Sequence, residues 1–386
     1  MYRGRLKKIV IVANSAKNMI KLSPLFDQFS RYYDFFEPIL LYTGKPFGKS
    51  ESFYLHEELN LPRPHQFLNI KNGAPAETTG AVMLESSRYF DEISPDLVIV
   101  IGGSDAALGT AISAARKGIP IAHIEAGLRC PGCLSNTDIN RKLIDGITNL
   151  FFVTDCGAHS NALAEGGDEK ATFFVGNIMV DSLKKYLPIA AKSTLAQKLG
   201  LIPKGYAILS IHRRANTTSY DHFKGIISAA HRISEKIPVV FVCHRRVREE
   251  IDKFGLSGYL RDKRLIVAEL SRYPDFLAIE KEALFSMTDS GTMQVESSVF
   301  GIPCLTLRTN TEWTATVTEG TNTIVGPFAE KITATAELIL AKKYKSGGVP
   351  KYWDGLTAQR IVDVIAKWFP REEQTARKVR IRKFSD

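Results

Sequence analysis

Long apolar runs are missing from this chain, and so are most of the patterns by which a sequence announces metal, redox or nucleic-acid chemistry. No stretch approaches the ~20 consecutive apolar residues that a membrane-spanning helix needs, which excludes a transmembrane helix. At the N-terminus a basic start, MYRGRLKK, precedes the apolar IVIVA, whose length falls short of the roughly 7–15 residues of a secretory leader. That segment reads as a first buried strand and the protein as cytoplasmic. Cysteine is scarce and odd in number: Cys130, Cys133, Cys156, Cys243 and Cys304 fit a reducing compartment rather than a disulfide-stapled fold. Cys130-Pro-Gly-Cys133 has dithiol spacing. A redox dithiol, however, sets its first cysteine at a helix N-terminus directly after a strand, whereas this pair falls in a loop, so incidental loop thiols are expected. No His, Cys, Asp or Glu set has ligand spacing, and no metal is expected. GGSDAAL (102–108) lacks both the Walker lysine and the G-x-G-x-x-G spacing, which disfavours a nicotinamide enzyme, and no cofactor is expected. The net charge of +10 sits partly in ARKVRIRKF (376–384). Without a basic stripe interleaved with aromatics it suggests an anionic small ligand such as a nucleotide, not nucleic acid. Tandem repeats and low-complexity tracts are absent.

What is present is a two-part alternation. At 386 residues, 44% apolar and 24% charged, the chain is globular and too long for one core, since cores stop growing at roughly 250–300 residues. Short runs rich in Val, Ile and Phe recur at 8–14, 37–43, 65–70, 96–103, 119–126, 149–155 and 171–177, separated by helix-length segments. After a helix-and-linker region near 180–203, where Pro and Gly interrupt both periods, a second set begins at 206–213 and continues at 238–245, 264–270, 283–290, 303–308 and 322–327. Continuous apolar strands of this kind indicate parallel sheets covered on both faces. The expected fold class is α/β, with two doubly wound Rossmann-like domains.

In such sheets ligands sit off the carboxyl ends of the strands, so the residues that follow each strand come first. DSGTMQVE (289–296) ends a strand and opens a helix. Ser290 and Gly291 could present free amides and a positive dipole end to a diphosphate, with Glu296 accepting from ribose hydroxyls; alternatively, Asp289 or Ser290 is a plain N-cap. His212, beside Arg213 and Arg214, suits a general acid or a phosphate donor, or a structural hydrogen-bonder. Glu125 follows a buried strand, and Asp138 lies near the start of a helix that runs through Arg141. The two carboxylates either share acid–base work or pair with Arg129 and Arg141.

HIEAGLR, TDINR, HRR, TDSGTMQVE with GIPCLTLR, TEW and YWDGLTAQRIVDVI follow one another in an order that resembles the signature blocks of the UDP-N-acetylglucosamine 2-epimerase family, from residue 8 to 368. The resemblance implies a glycosyltransferase-B-type fold with an interdomain cleft. It divides the chain into an N-terminal domain on the sugar side (1–187), a UDP-binding C-terminal domain (188–354), a helix returning to the N-terminal domain (355–370) and a basic tail (371–386). It also implies a homodimer acting on a UDP-sugar in polysaccharide biosynthesis. Family members remove the C2 proton, expel UDP and re-add it, or add water in the hydrolysing branch. Carried over residue by residue, the catalytic set is Glu125, Asp138 and His212. The substrate contacts are Lys21, Arg141, Arg213, His244, Ser290, Gly291, Glu296 and Arg308.

The departures fall mostly on the sugar side. The family's G-T-R-P-E loop is Asn14-Ser15-Ala16-Lys17-Asn18 here, and its G-D-T is Gly102-Gly103-Ser104, with Asp105 two residues later. Asp138 shortens the second glutamate of P-E-E-x-N-R, and Thr43-Gly44-Lys45-Pro46 replaces T-G-Q-H. The expectation is a divergent UDP-sugar 2-epimerase. The alternatives are a hydrolysing epimerase that releases a free ManNAc-type sugar and a UDP-sugar-binding protein with impaired catalysis.

Overall fold

The computed structural model describes residues 5–71, 73–133, 135–269 and 272–369; the basic tail expected at 371–386 lies outside them. The chain divides into two compact units. One takes the described residues of 1–129, 134–182 and 354–386, the other those of 130–133 and 183–353.

Each unit is built on one all-parallel sheet. The first carries β1 (Lys7–Ala13), β2 (Phe36–Tyr42), β3 (Gln66–Phe67), β4 (Leu97–Ile101), β5 (Ile121–Ala126), β6 (Leu150–Val153) and β7 (Thr172–Phe174), in the spatial order β3-β2-β1-β4-β5-β6-β7. The second carries β8 (Ala207–Ser210), β9 (Val239–Val242), β10 (Leu265–Ala268), β11 (Phe285–Thr288), β12 (Cys304–Thr306) and β13 (Asn322–Ile324), in the order β10-β9-β8-β11-β12-β13. Every strand coincides with one of the apolar runs of the sequence, β1 and β2 starting one residue earlier than the runs at 8–14 and 37–43. The reason is visible in β8 and β9, where successive side chains enter opposite faces and both faces are covered. Ala207, Leu209, Val239 and Phe241 join one apolar cluster, and Tyr206, Ile208, Val240 and Val242 join the other.

Both sheets wind outward from a central strand and then return beside it. β1 leads to β2 and β3 before β4 pairs back on β1 (Val10↔Val98), and β8 leads to β9 and β10 before β11 pairs back on β8 (Ser286↔Ile208). The crevice at such a reversal is where an open α/β sheet receives its ligand. It lies at the exits of β1 and β4 in one unit and of β8 and β11 in the other.

The chain leaves the first unit within the helix Ile178–Ala190, which tolerates Pro188 near its end. The helix Thr357–Trp368 packs on Ala16–Phe29 within the first unit. Its start is capped from a distance: Asp181 accepts from the Thr357 and Ala358 amides at 3.2 and 2.8 Å. Burial pushes the Asp181 carboxyl above its ordinary range even so. Among the described residues no helix is long and apolar enough to cross a membrane.

Candidate active site

In the first unit the candidate catalytic residues gather around the exits of β4 and β5. Glu125 is nearly fully buried, and its φ of +68° lies in the left-handed region that side chains seldom adopt. The β5–β6 register slips between Ile124 and Ala126, so the extra residue turns its carboxylate out of the sheet alternation. Lys21, from the helix Ala16–Phe29, donates to Glu125 Oε1 at 2.5 Å. Backbone strain of this kind at a strand exit is found where a side chain is being aimed.

Asp138 and Arg141 project from the helix Asn136–Asp145. Ser135 caps that helix and donates to Asp138 Oδ2 at 2.6 Å, while Arg141 lies 3.6 Å from Asp138 Oδ1. Arg141 Nε is buried with no hydrogen-bond partner among the described residues. A buried donor without an acceptor is costly, and its location beside Asp138 suits a ligand oxygen. Arg129, by contrast, is committed to the protein: it bonds Asp145 at 2.6 Å and Glu165 at 2.5 Å.

A cavity of about 280 Å³ opens at the switch point of this sheet. Asn14, Thr43, Gly44, Ser104, Asp105 and Asn140 are among its lining residues. Asn140 Nδ2 bridges the Gly103 carbonyl (3.1 Å) and Asp105 Oδ1 (2.8 Å). Neither Asp105 nor Asn140 was singled out as a contact from the sequence. Their link spans 35 positions and has no local signal.

In the second unit the exits of β8 and β11 are tied by Asp289. Its carboxylate accepts from the His212 amide (2.8 Å), the Arg213 amide (3.0 Å) and Asn216 Nδ2 (2.9 Å). Asp289 is therefore a brace rather than a helix cap. Ser290 is the N-cap residue of the helix Gly291–Phe300, with no side-chain cap bond, so the first-turn amides remain free for an acceptor. A Cβ on Gly291 would stand 2.5 Å from Trp313 Nε1, which requires glycine there. The His212 ring contacts Ser210 Oγ at 2.8 Å, and Arg213 reaches Glu312 at 3.3 Å. His244 is the N-cap residue of the helix Arg245–Lys253, and Arg308 is paired with Glu312 at 2.8 Å.

Glu296 is buried one and a half turns into the helix Gly291–Phe300, where Tyr273 donates to its Oε1 at 2.6 Å. Glu280 lies beside it. Burial, reinforced by the Glu296 charge, pushes the Glu280 carboxyl well above the usual carboxylate range.

The Cys-Pro-Gly-Cys segment forms a turn, with Gly132 at φ +69° and the Cys133 amide on the Cys130 carbonyl at 3.2 Å. Burial pushes the Cys130 thiol up to about 12, so it is no thiolate nucleophile.

The UDP-N-acetylglucosamine 2-epimerase family model matches residues 31–366. The chain belongs to the UDP-N-acetylglucosamine 2-epimerase family. It is 32% identical over 364 residues to the enzyme of that name from Methanocaldococcus jannaschii, covering 93% of this chain and 98% of that one. The crystal structure of the M. jannaschii enzyme in complex with UDP-GlcNAc and UDP superposes with a TM-score of 0.84, covering 93% and 99% of the two chains. A second relative, UDP-2,3-diacetamido-2,3-dideoxy-D-glucuronate 2-epimerase from Pseudomonas aeruginosa, is 32% identical over 333 residues, covering 85% and 91%. The fold is that of the family, a glycosyltransferase-B-type α/β chain.

Against the family pattern, the departures acquire a physical account. At Gly103 a Cβ would stand 2.2 Å from the Thr137 carbonyl oxygen and 2.8 Å from Arg141 Cγ, so the helix Asn136–Asp145 occupies the space an aspartate side chain would need. In the first loop, Ser15 caps the helix Ala16–Phe29 and Asn18 bonds Asn14 at 2.7 Å, leaving exposed Lys17 as the cation of that turn.

Proposed function

We propose that the protein is a UDP-sugar 2-epimerase acting on UDP-N-acetylglucosamine or a close relative, with Glu125 and Asp138 as its acid–base pair. The observation that carries this reading is Glu125: buried, held in a strained backbone at a strand exit and paired with a lysine, in a chain 32% identical to 2-epimerases over nearly its whole length. One carboxylate takes the C2 proton, and the C1–O bond breaks with its electron pair going to UDP, which leaves a glycal. A proton is then returned to C2 on the opposite face as the UDP oxygen reattaches at C1. Lys21 and the Arg141 guanidinium supply positive charge beside the carboxylates. In the second unit the Ser290 hydroxyl and the Gly291 amide, with Arg213 and His212, receive the diphosphate, whose departure needs electrostatic stabilisation. His244, Glu296 and Arg308 complete the proposed nucleotide contacts. The protein works as a cytoplasmic homodimer in this proposal, and light scattering should return the mass of two chains.

Incubation with UDP-N-acetylglucosamine in heavy water tests the reaction: deuterium should enter C2 of a sugar that keeps its UDP. Free UDP with free sugar would identify the hydrolysing outcome instead. A second reading, nucleotide-sugar binding without turnover, is favoured by the absence of space at Gly103. It would show as UDP raising the melting temperature with no exchange.

A further inference from the structure

Both ring nitrogens of His123 face oxygens. Nδ1 lies 2.6 Å from Asp145 Oδ1, Nε2 lies 2.9 Å from the Gly102 carbonyl oxygen, and the residue has no exposure to solvent. A carbonyl oxygen can only accept, so Nε2 must donate. Asp145 is committed as an anion, because it also accepts from the Gly127 amide at 3.0 Å and from Arg129 at 2.6 Å, so Nδ1 must donate as well. A ring that donates from both nitrogens is an imidazolium. The charges of the cluster balance, with buried His123 and half-buried Arg129 set against buried Asp145 and exposed Glu165.

This pair sits where the two functional strand exits meet. Gly102 is the first residue out of β4 and Gly127 the first out of β5, and both turn through positive φ, +66° and +71°. Between His123 and Gly127 stands Glu125 in its left-handed conformation. A Cβ on Gly102 would come within 3.1 Å of Glu125 Oε2, so the β4 exit and the Glu125 carboxylate are close neighbours. His123 grips the β4 exit directly and the β5 exit through Asp145. Strained conformations persist only where the surroundings over-determine them.

We propose that His123, as a buried imidazolium bonded to Gly102 and Asp145, is a positioning residue that holds Glu125 in its reactive pose. The inference rests on the role given to Glu125 above. His123 itself does not touch the sugar; it acts through the two strand exits.

Two measurements decide it. In the full chain labelled with ¹⁵N-histidine, with His123 assigned by its loss in His123→Gln, both ring nitrogens should carry protons at neutral pH; a neutral ring with one bare nitrogen would overturn the proposal. In the exchange assay, His123→Gln should lower kcat by on the order of 10²-fold, the cost of a small misplacement of a reacting group, while KM and UDP affinity stay within about twofold. If His123→Gln does not fold, Asp145→Asn, which keeps an acceptor but removes the charge, should show the same split. An unchanged kcat in a folded variant of an active enzyme overturns the positioning role alone. Absence of exchange in the wild-type chain counts against the reaction and this role together.

Discussion

At Gly103 the main chain runs so close to the Thr137 carbonyl that no side chain fits. Writing the family residue back as Gly103→Asp should therefore destabilise rather than restore. Overpacking of this kind costs about 1–3 kcal/mol, and a thermal melt should show it as a lower Tm, with Gly103→Ala giving a smaller loss of the same sign. Glu280 makes the opposite case. Its folded carboxyl is raised, so the stability tied to its neutral form is fully present below the unfolded carboxylate range and is lost as pH rises toward the folded value. Glu280→Gln, which can still accept from Ser297, should raise Tm above neutral pH and leave it nearly unchanged below about pH 4, the reference carboxylate range. Single residues divide cleanly by legibility. Glu125, Asp138 and Ser290 were visible because each stands at the edge of an element. His123–Asp145 and Glu280–Glu296 were not, because only the folded chain brings them together.

Among the elements, strands were the most legible, since burial on both faces makes each a short continuous apolar run. The run at 65–70 is a strand only at Gln66 and Phe67, opposite Leu41 and Tyr42, while its His65 and Leu68 amides bond the Leu40 and Tyr42 carbonyls at 2.9 Å each. Element starts carry the proposed nucleotide contacts. The first-turn amides of Gly291–Phe300 stand beside the β8 exit, where Asp289 fixes the backbone of His212 and Arg213. Arg213→Ala removes a cation from that exit and should weaken UDP by roughly tenfold, about 1.4 kcal/mol, as read by calorimetry.

Across the whole molecule, the chain is two sheets that each reverse beside a central strand, and seven of the eleven proposed site residues lie at or just beyond a strand exit; Lys21, Asp138, Arg141 and Glu296 lie in helices. That arrangement was legible because it depends on pattern and order, which the family blocks also record. The spacing of residues along the chain did not reveal the Asp105–Asn140 link or the His123–Asp145 pair, which are tertiary facts. The proposed reaction turns on Glu125 moving a proton at C2 of a UDP-sugar. NMR of UDP-N-acetylglucosamine in heavy water, run with the wild-type chain and with Glu125→Gln, tests it most directly. The wild type should place deuterium at C2 of a nucleotide-linked sugar, and Glu125→Gln should lose that exchange with UDP binding retained. Exchange that persists unchanged in Glu125→Gln would contradict it.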